Sequence, residues 1–157
     1  MEIEKKYLIK TMPHDLESYH KDIISQGYIS TSPVIRIRQK GSHFYLTCKS
    51  KGLMAREEFE IEITNLEYVR LAKKVDYNLI QKTRYYIPIQ NDLTIELDVF
   101  KGVLKDLIMA EVEFPSIEAA EAFIAPEWFG KEVTQDVRYH NSYLCQINDF
   151  ANIKNEE

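Results

Sequence analysis

Charged and apolar residues alternate with a period of two in segment after segment of this chain. Residues 2–9, Glu-Ile-Glu-Lys-Lys-Tyr-Leu-Ile, set the pattern: extended, they turn Glu2, Glu4 and Lys6 to one face and Ile3 to the other. Arg36 and Arg38 alternate with Ile35 and Ile37, and Tyr45, Thr47 and Lys49 with Phe44, Leu46 and Cys48. The cleanest run is Glu58-Phe59-Glu60-Ile61-Glu62-Ile63. Lys82 and Arg84 lie opposite Thr83 and Tyr85, Glu96 and Asp98 opposite Ile95, Leu97 and Val99, and Glu111 and Glu113 opposite Val112 and Phe114. Each segment predicts a strand with one charged and one apolar face. Lys40-Gly41-Ser42 and Gln90-Asn91-Asp92 supply hairpin turns, and Pro33 breaks a short strand from the one that follows.

Helical signals lie between the strands. Thr11 and Pro13 suit a helix start, Leu16, Tyr19, Ile23 and Ile24 fall at i, i+3, i+7 and i+8, and Gly27 is placed as a stop; a helix is expected over 13–27. Thr64-x-x-Glu67 has capping-box spacing before a helix carrying Leu66, Val69 and Ala72. Ser116 can cap a helix over 117–125 that Pro126 stops, and a terminal helix is expected near 140–150.

Composition narrows the class. A chain of 157 residues, 45% hydrophobic with five Gly and five Pro, predicts one folded domain over 1–150 and a polar tail over 151–157. The net charge of −5 gives no basic footprint for nucleic acid. No apolar run reaches the roughly 18 residues of a membrane span, so a cytoplasmic protein is expected. Cys48 and Cys145 are far apart and have no metal-ligand spacing.

A sheet with one solvated face would mix signs within each strand, yet here cations pair on some strands and carboxylates on others. Like charges two residues apart on one face repel unless the opposite sign stands across from them. Curling the sheet until the charged faces surround a lumen meets that need, and about eight strands enclose room for one small ligand. A lumen with Lys6, Arg36, Arg38, Lys49, Lys82 and Arg84 beside Glu2, Glu4, Glu58, Glu60, Glu96, Asp98, Glu111 and Glu113 suits a polyanion accompanied by divalent metal. The histidines His14, His20, His43 and His140 are scattered and read as surface or packing residues.

Glu2-x-Glu4-x-Lys6 matches the E-x-E-x-K signature of the CYTH, or triphosphate tunnel metalloenzyme, superfamily. Arg36-x-Arg38, Lys49, Glu58-x-Glu60, Lys82-x-Arg84, Glu96-x-Asp98 and Glu111-x-Glu113 follow in that superfamily's order, so the resemblance runs from residue 2 to about 145. It implies an α+β fold, an eight-stranded antiparallel β-barrel with helices packed on its outside, and metal-dependent hydrolysis of triphosphate with Mg²⁺ or Mn²⁺. Carried over by position, Lys6, Arg36, Arg38, Lys49, Lys82 and Arg84 would hold phosphates. Glu2, Glu4, Asp98, Glu111 and Glu113 would serve the metal, and Glu58, Glu60 and Lys6 would carry the catalytic step. Short bacterial tripolyphosphatases are the members it most resembles. An adenylate cyclase, a thiamine triphosphatase and a non-catalytic polyphosphate-binding module are the alternatives, in a monomer or a homodimer.

Overall fold

A computed structural model of the chain describes residues 1–51 and 54–148. Eight strands form the wall of a nearly closed antiparallel barrel, and two short strands complete it. β1 (Glu2–Ile9), β2 (His20–Thr31), β3 (Val34–Lys40), β4 (His43–Lys49), β5 (Ala55–Arg56) and β6 (Glu58–Ile63) come first. β7 (Asp76–Pro88), β8 (Thr94–Phe100), β9 (Ile108–Glu113) and β10 (Phe129–Glu132) follow. The order around the wall is β10-β1-β9-β8-β7-β2-β3-β4-β6, with β5 pairing β1 as well. The two-residue β5 sets Glu2 opposite Arg56, which brings the β6 end of the wall back to β1. The expected eight strands are the long ones. β5 and β10 are too short to show a period.

Register decides what the alternation is for. Lys6 stands opposite Glu111, Arg84 opposite Asp98, and Lys49 opposite Glu58, so cations on one strand meet carboxylates on the next. The residues between them along each strand point outward. There Ile3, Tyr7, Leu97, Ala110 and Val112 pack with Phe114, Phe123 and Phe129 beneath helix α2 (Ile117–Ala122). Ser116 caps this helix by accepting from the Ala119 N–H, as expected, and the helix ends at Ala122 because Phe123 turns extended. The capping box of α1 (Asn65–Ala72) also forms, with Thr64 and Glu67 each accepting the other's backbone N–H. The expected stripe of α1 does not face the sheet: Leu66 and Val69 are exposed, and Tyr68 is buried against Phe44 instead.

The helix expected over 13–27 is absent. Residues 16–18 make one 3₁₀ turn, and from His20 the chain runs as the twelve-residue strand β2. Its helical spacing was coincidental, since Ile23 is exposed and Ile24 fully buried in adjacent, opposite-facing positions. Gly27 lies inside the strand, where a Cβ would sit 2.8 Å from both Leu79 Cδ2 and Val75 Cγ1. Close approach of the β7 side requires glycine there, not the end of a helix.

Inside, the barrel has two parts. Tyr28, Ile80, Phe100 and Met109 meet Leu104, Leu107, Val133 and Tyr139, together with Leu144 of α3 (Asn141–Leu144) and Cys145 just after it, in an apolar plug at one end. The rest of the lumen is charged. The last residues of the expected terminal helix and the polar tail 151–157 lie outside the described residues, as do residues 52 and 53. No helix among the described residues is long and apolar enough to cross a membrane.

Candidate active site

The charged part of the lumen is a cavity of about 400 Å³. Of the residues expected to form a site, Glu2, Glu4, Lys6, Arg36, Arg38, Lys49, Glu58, Glu60, Arg84, Glu111 and Glu113 line it. Period two explains the convergence: each strand contributes its inward residues to one lumen, and antiparallel pairing sets them at matching heights.

Ion pairs tie the wall together. Lys6 Nζ donates to Glu111 Oε1 at 2.8 Å and lies 3.5 Å from Glu4. Burial disfavours the Lys6 ammonium, but Glu111 and then Glu4 outweigh it and hold the group above its ordinary value. Burial would likewise raise the Glu111 carboxyl, and Lys6, Arg84 and Lys82 together hold it well below. Lys49 Nζ donates to both Glu2 oxygens, at 2.9 and 3.2 Å, and lies 3.9 Å from Glu58.

Two expected residues stand elsewhere. Lys82 and Asp98 are absent from the cavity lining, at 0% and 1% exposure. Asp98 accepts two hydrogen bonds from Arg84, at 2.8 and 2.9 Å, and lies 2.7 Å from Lys82 Nζ. Lys82 in turn sits over the Phe100 ring at 5.3 Å, at the border of the apolar plug, and burial drags its ammonium down. Asp98 thus aims Arg84, whose other end reaches Glu96 at 2.6 Å.

Arg36 and Arg38 differ from the other cations. Neither has a carboxylate ion-pair partner among the described residues. Arg36 donates to Thr47 Oγ1 at 3.1 Å and leaves its buried Nε unpartnered. Arg38 donates to Gln26 Oε1 at 2.7 Å. Burial, then the neighbouring Arg36 and Arg84, pull the Arg38 guanidinium down to about 10. Three guanidiniums crowded beside a buried unpartnered donor favour an anion.

The carboxylates show the opposite imbalance. Burial, then Glu2, Glu96, Glu4 and Glu58, push the Glu113 carboxyl up to about 7. Glu113 has no ion-pair partner among the described residues. Hard oxygen donors crowded in this way fit Mg²⁺ or Mn²⁺. Among the described residues, however, no three potential ligands are gathered closely enough to hold a metal as they stand. Glu2 and Glu111 are turned onto Lys49 and Lys6 instead. A cation held by Glu2 or Glu111 would have to displace Lys49 or Lys6 from that carboxylate.

A stability consequence follows from Glu113. Its folded pKa lies above its ordinary 4.5, so the folded state holds the proton more tightly and stability falls as pH rises from about 4.5 through 7. In EDTA, Glu113→Gln should flatten that decline and leave the protein more stable than wild type at pH 8, measured by thermal unfolding across the range. An unchanged slope would remove Glu113 as its source.

Tyr28, Arg56 and His140 are among the lining residues that carried no sequence signal. Tyr28 is 3% exposed on β2, a strand without charged alternation. Arg56, on the two-residue β5, lies 3.5 Å from Glu2 and 3.7 Å from Glu4. His140 is buried, with Nε2 2.9 Å from the Thr134 carbonyl; that carbonyl accepts, so Nε2 carries the hydrogen.

Fold and cavity define a tunnel protein whose lumen is lined by both cations and carboxylates. No protein-family model matches the chain. It is 42% identical over 147 residues to an inorganic triphosphatase of Nitrosomonas europaea, covering 92% of this chain and 96% of that one. An inorganic triphosphatase of Acetivibrio thermocellus is 34% identical over 158 residues, covering 98% and 97%. A crystal structure of an inorganic triphosphatase superposes with a TM-score of 0.71 at 38% identity, covering 95% of this chain and 97% of that one. A Hippeastrum protein described as a putative adenylyl cyclase with dominant triphosphatase activity shares the fold, with a TM-score of 0.56 at 17% identity over 77% of this chain and 83% of that one. The chain belongs to the inorganic triphosphatase family, within the CYTH superfamily.

Proposed function

We propose that this protein hydrolyses inorganic triphosphate with Mg²⁺ or Mn²⁺ and releases orthophosphate. The observation that carries the reading is the two-sided imbalance of one cavity, with guanidiniums lacking carboxylates at Arg36 and Arg38 and a carboxyl lacking a cation at Glu113. The relatives named above support the substrate.

In this reading Arg36, Arg38 and Arg84 bind phosphate oxygens with planar forks, and Lys6 and Lys49 add point charges. Lys82 acts behind them, bracing Asp98 and through it Arg84. Glu2, Glu4, Glu111 and Glu113 would hold the cation, and Asp98 sets the height of Arg84 beside them. A divalent cation there would supply charge neutralisation and a lowered pKa for bound water. Glu58 and Glu60 orient the attacking water, and Glu60 is itself fixed by accepting from Thr47 Oγ1 at 3.2 Å. Lys6 stabilises the leaving phosphate as charge builds on it.

Phosphate release from tripolyphosphate, assayed with Mg²⁺, Mn²⁺ or EDTA, tests the reading. Turnover with either metal and none in EDTA is expected. Cyclic AMP formed from ATP, or thiamine triphosphate consumed in preference to tripolyphosphate, would replace it with a sister activity. Tight tripolyphosphate binding without turnover would leave a binding module.

A further inference from the structure

Behind the tunnel wall lies a second cavity of about 290 Å³, between the β2–β3 turn, the end of β4 and α3. Val34, Lys49, Arg56, His140 and Ser142 line both cavities and so form the partition between them. The chemistry on the two sides differs. The tunnel mixes cations with carboxylates, whereas the second cavity has Lys49, Lys51 and Arg56 together with the hydroxyls of Thr31, Ser32, Ser50, Ser142 and Tyr143. No acidic side chain lines it among the described residues.

A pocket with cations and hydroxyls but no carboxylate favours a small anion over a divalent metal. Lys51 has no ion-pair partner among the described residues, so its charge is available to a ligand. The partition cations are at present turned the other way: Lys49 onto Glu2, and Arg56 onto Glu2 and Glu4.

We propose that this second cavity is a metal-independent site for orthophosphate, holding the product of the tunnel reaction on the far side of the Lys49–Arg56 partition. The assignment of orthophosphate as product rests on the function proposed above; the anion site itself does not.

The test is a ³¹P NMR titration of the full chain with inorganic orthophosphate in EDTA, where tunnel metal plays no part. Wild type should bind. Lys51→Glu and Gln146→Glu each place a carboxylate at the second cavity without touching the tunnel, and each should weaken binding roughly tenfold, the scale of reversing or adding one close charge. Arg38→Ala, within the tunnel, should leave the affinity unchanged. Absence of binding in EDTA would overturn the proposal, and so would binding that Arg38→Ala abolishes and Lys51→Glu spares. Because the readout is equilibrium binding, it stands or falls separately from whether tripolyphosphate is hydrolysed.

Discussion

Arg38→Ala should lower phosphate release from tripolyphosphate by roughly 10²–10³-fold, the loss that follows removal of one preorganised group from a developing charge. Arg38 is the informative choice among the six cations because nothing in the wall depends on its charge. Lys6, Lys49, Lys82 and Arg84 each neutralise a carboxylate, so truncating them strands a partner and mixes folding with catalysis. Arg38 holds only Gln26 and is repelled by Arg36 and Arg84. Stability should therefore fall by roughly 1–3 kcal/mol, the cost of leaving the buried Gln26 Oε1 without its charged donor. Steady-state phosphate release alongside a denaturant midpoint separates the two effects. A variant as active as wild type would remove Arg38 from the phosphate-binding wall.

Asp98→Asn should do the reverse and act first on the fold. Its carboxylate is the shared partner of Arg84 and Lys82, all three at 5% exposure or less. Removing one member of a buried ionic cluster leaves the others uncompensated and costs roughly 3–5 kcal/mol. The sign discriminates between roles. A carboxylate whose chief work was to hold a metal would, once neutralised, relieve its repulsion with Glu111 and stabilise the metal-free protein. A lower urea midpoint in EDTA is expected, and a higher one would return Asp98 to the metal-ligand set.

Most of the barrel was legible because charge and apolarity alternate so regularly along its strands. β1, β3, β4, β6, β7, β8 and β9 all carry that pattern, and the E-x-E-x-K match with its ordered followers named most of the charged residues that line the cavity. β2 was illegible for a physical reason. It faces inward with Asp22, Ile24, Gln26 and Tyr28, a mixture without a sign, while Ile23 stands exposed on the outside. Lumen position, not hydrophobicity, decides burial here, so Gln26 and Lys82 are as buried as any leucine. Arg56 was missed because a two-residue strand has no period to read. The depth of Lys82 and Asp98 was hidden too: alternation says which face a residue takes but not how far along the lumen the apolar plug extends.

The position of β1 in the wall also governs how the barrel is assembled. Its long-range partner is β9, and the Lys6–Glu111 bond spans 105 positions of sequence. The hairpins β3–β4 and β7–β8 are local and can close early, whereas β1, apart from its two-residue pairing with β5, waits for its main partner β9. During that wait its exposed row is Glu2, Glu4 and Lys6, which stays hydrated and gives a stray strand edge little reason to adhere. The same charges that later face the ligand thus act beforehand as a safeguard on a slow, non-local folding route.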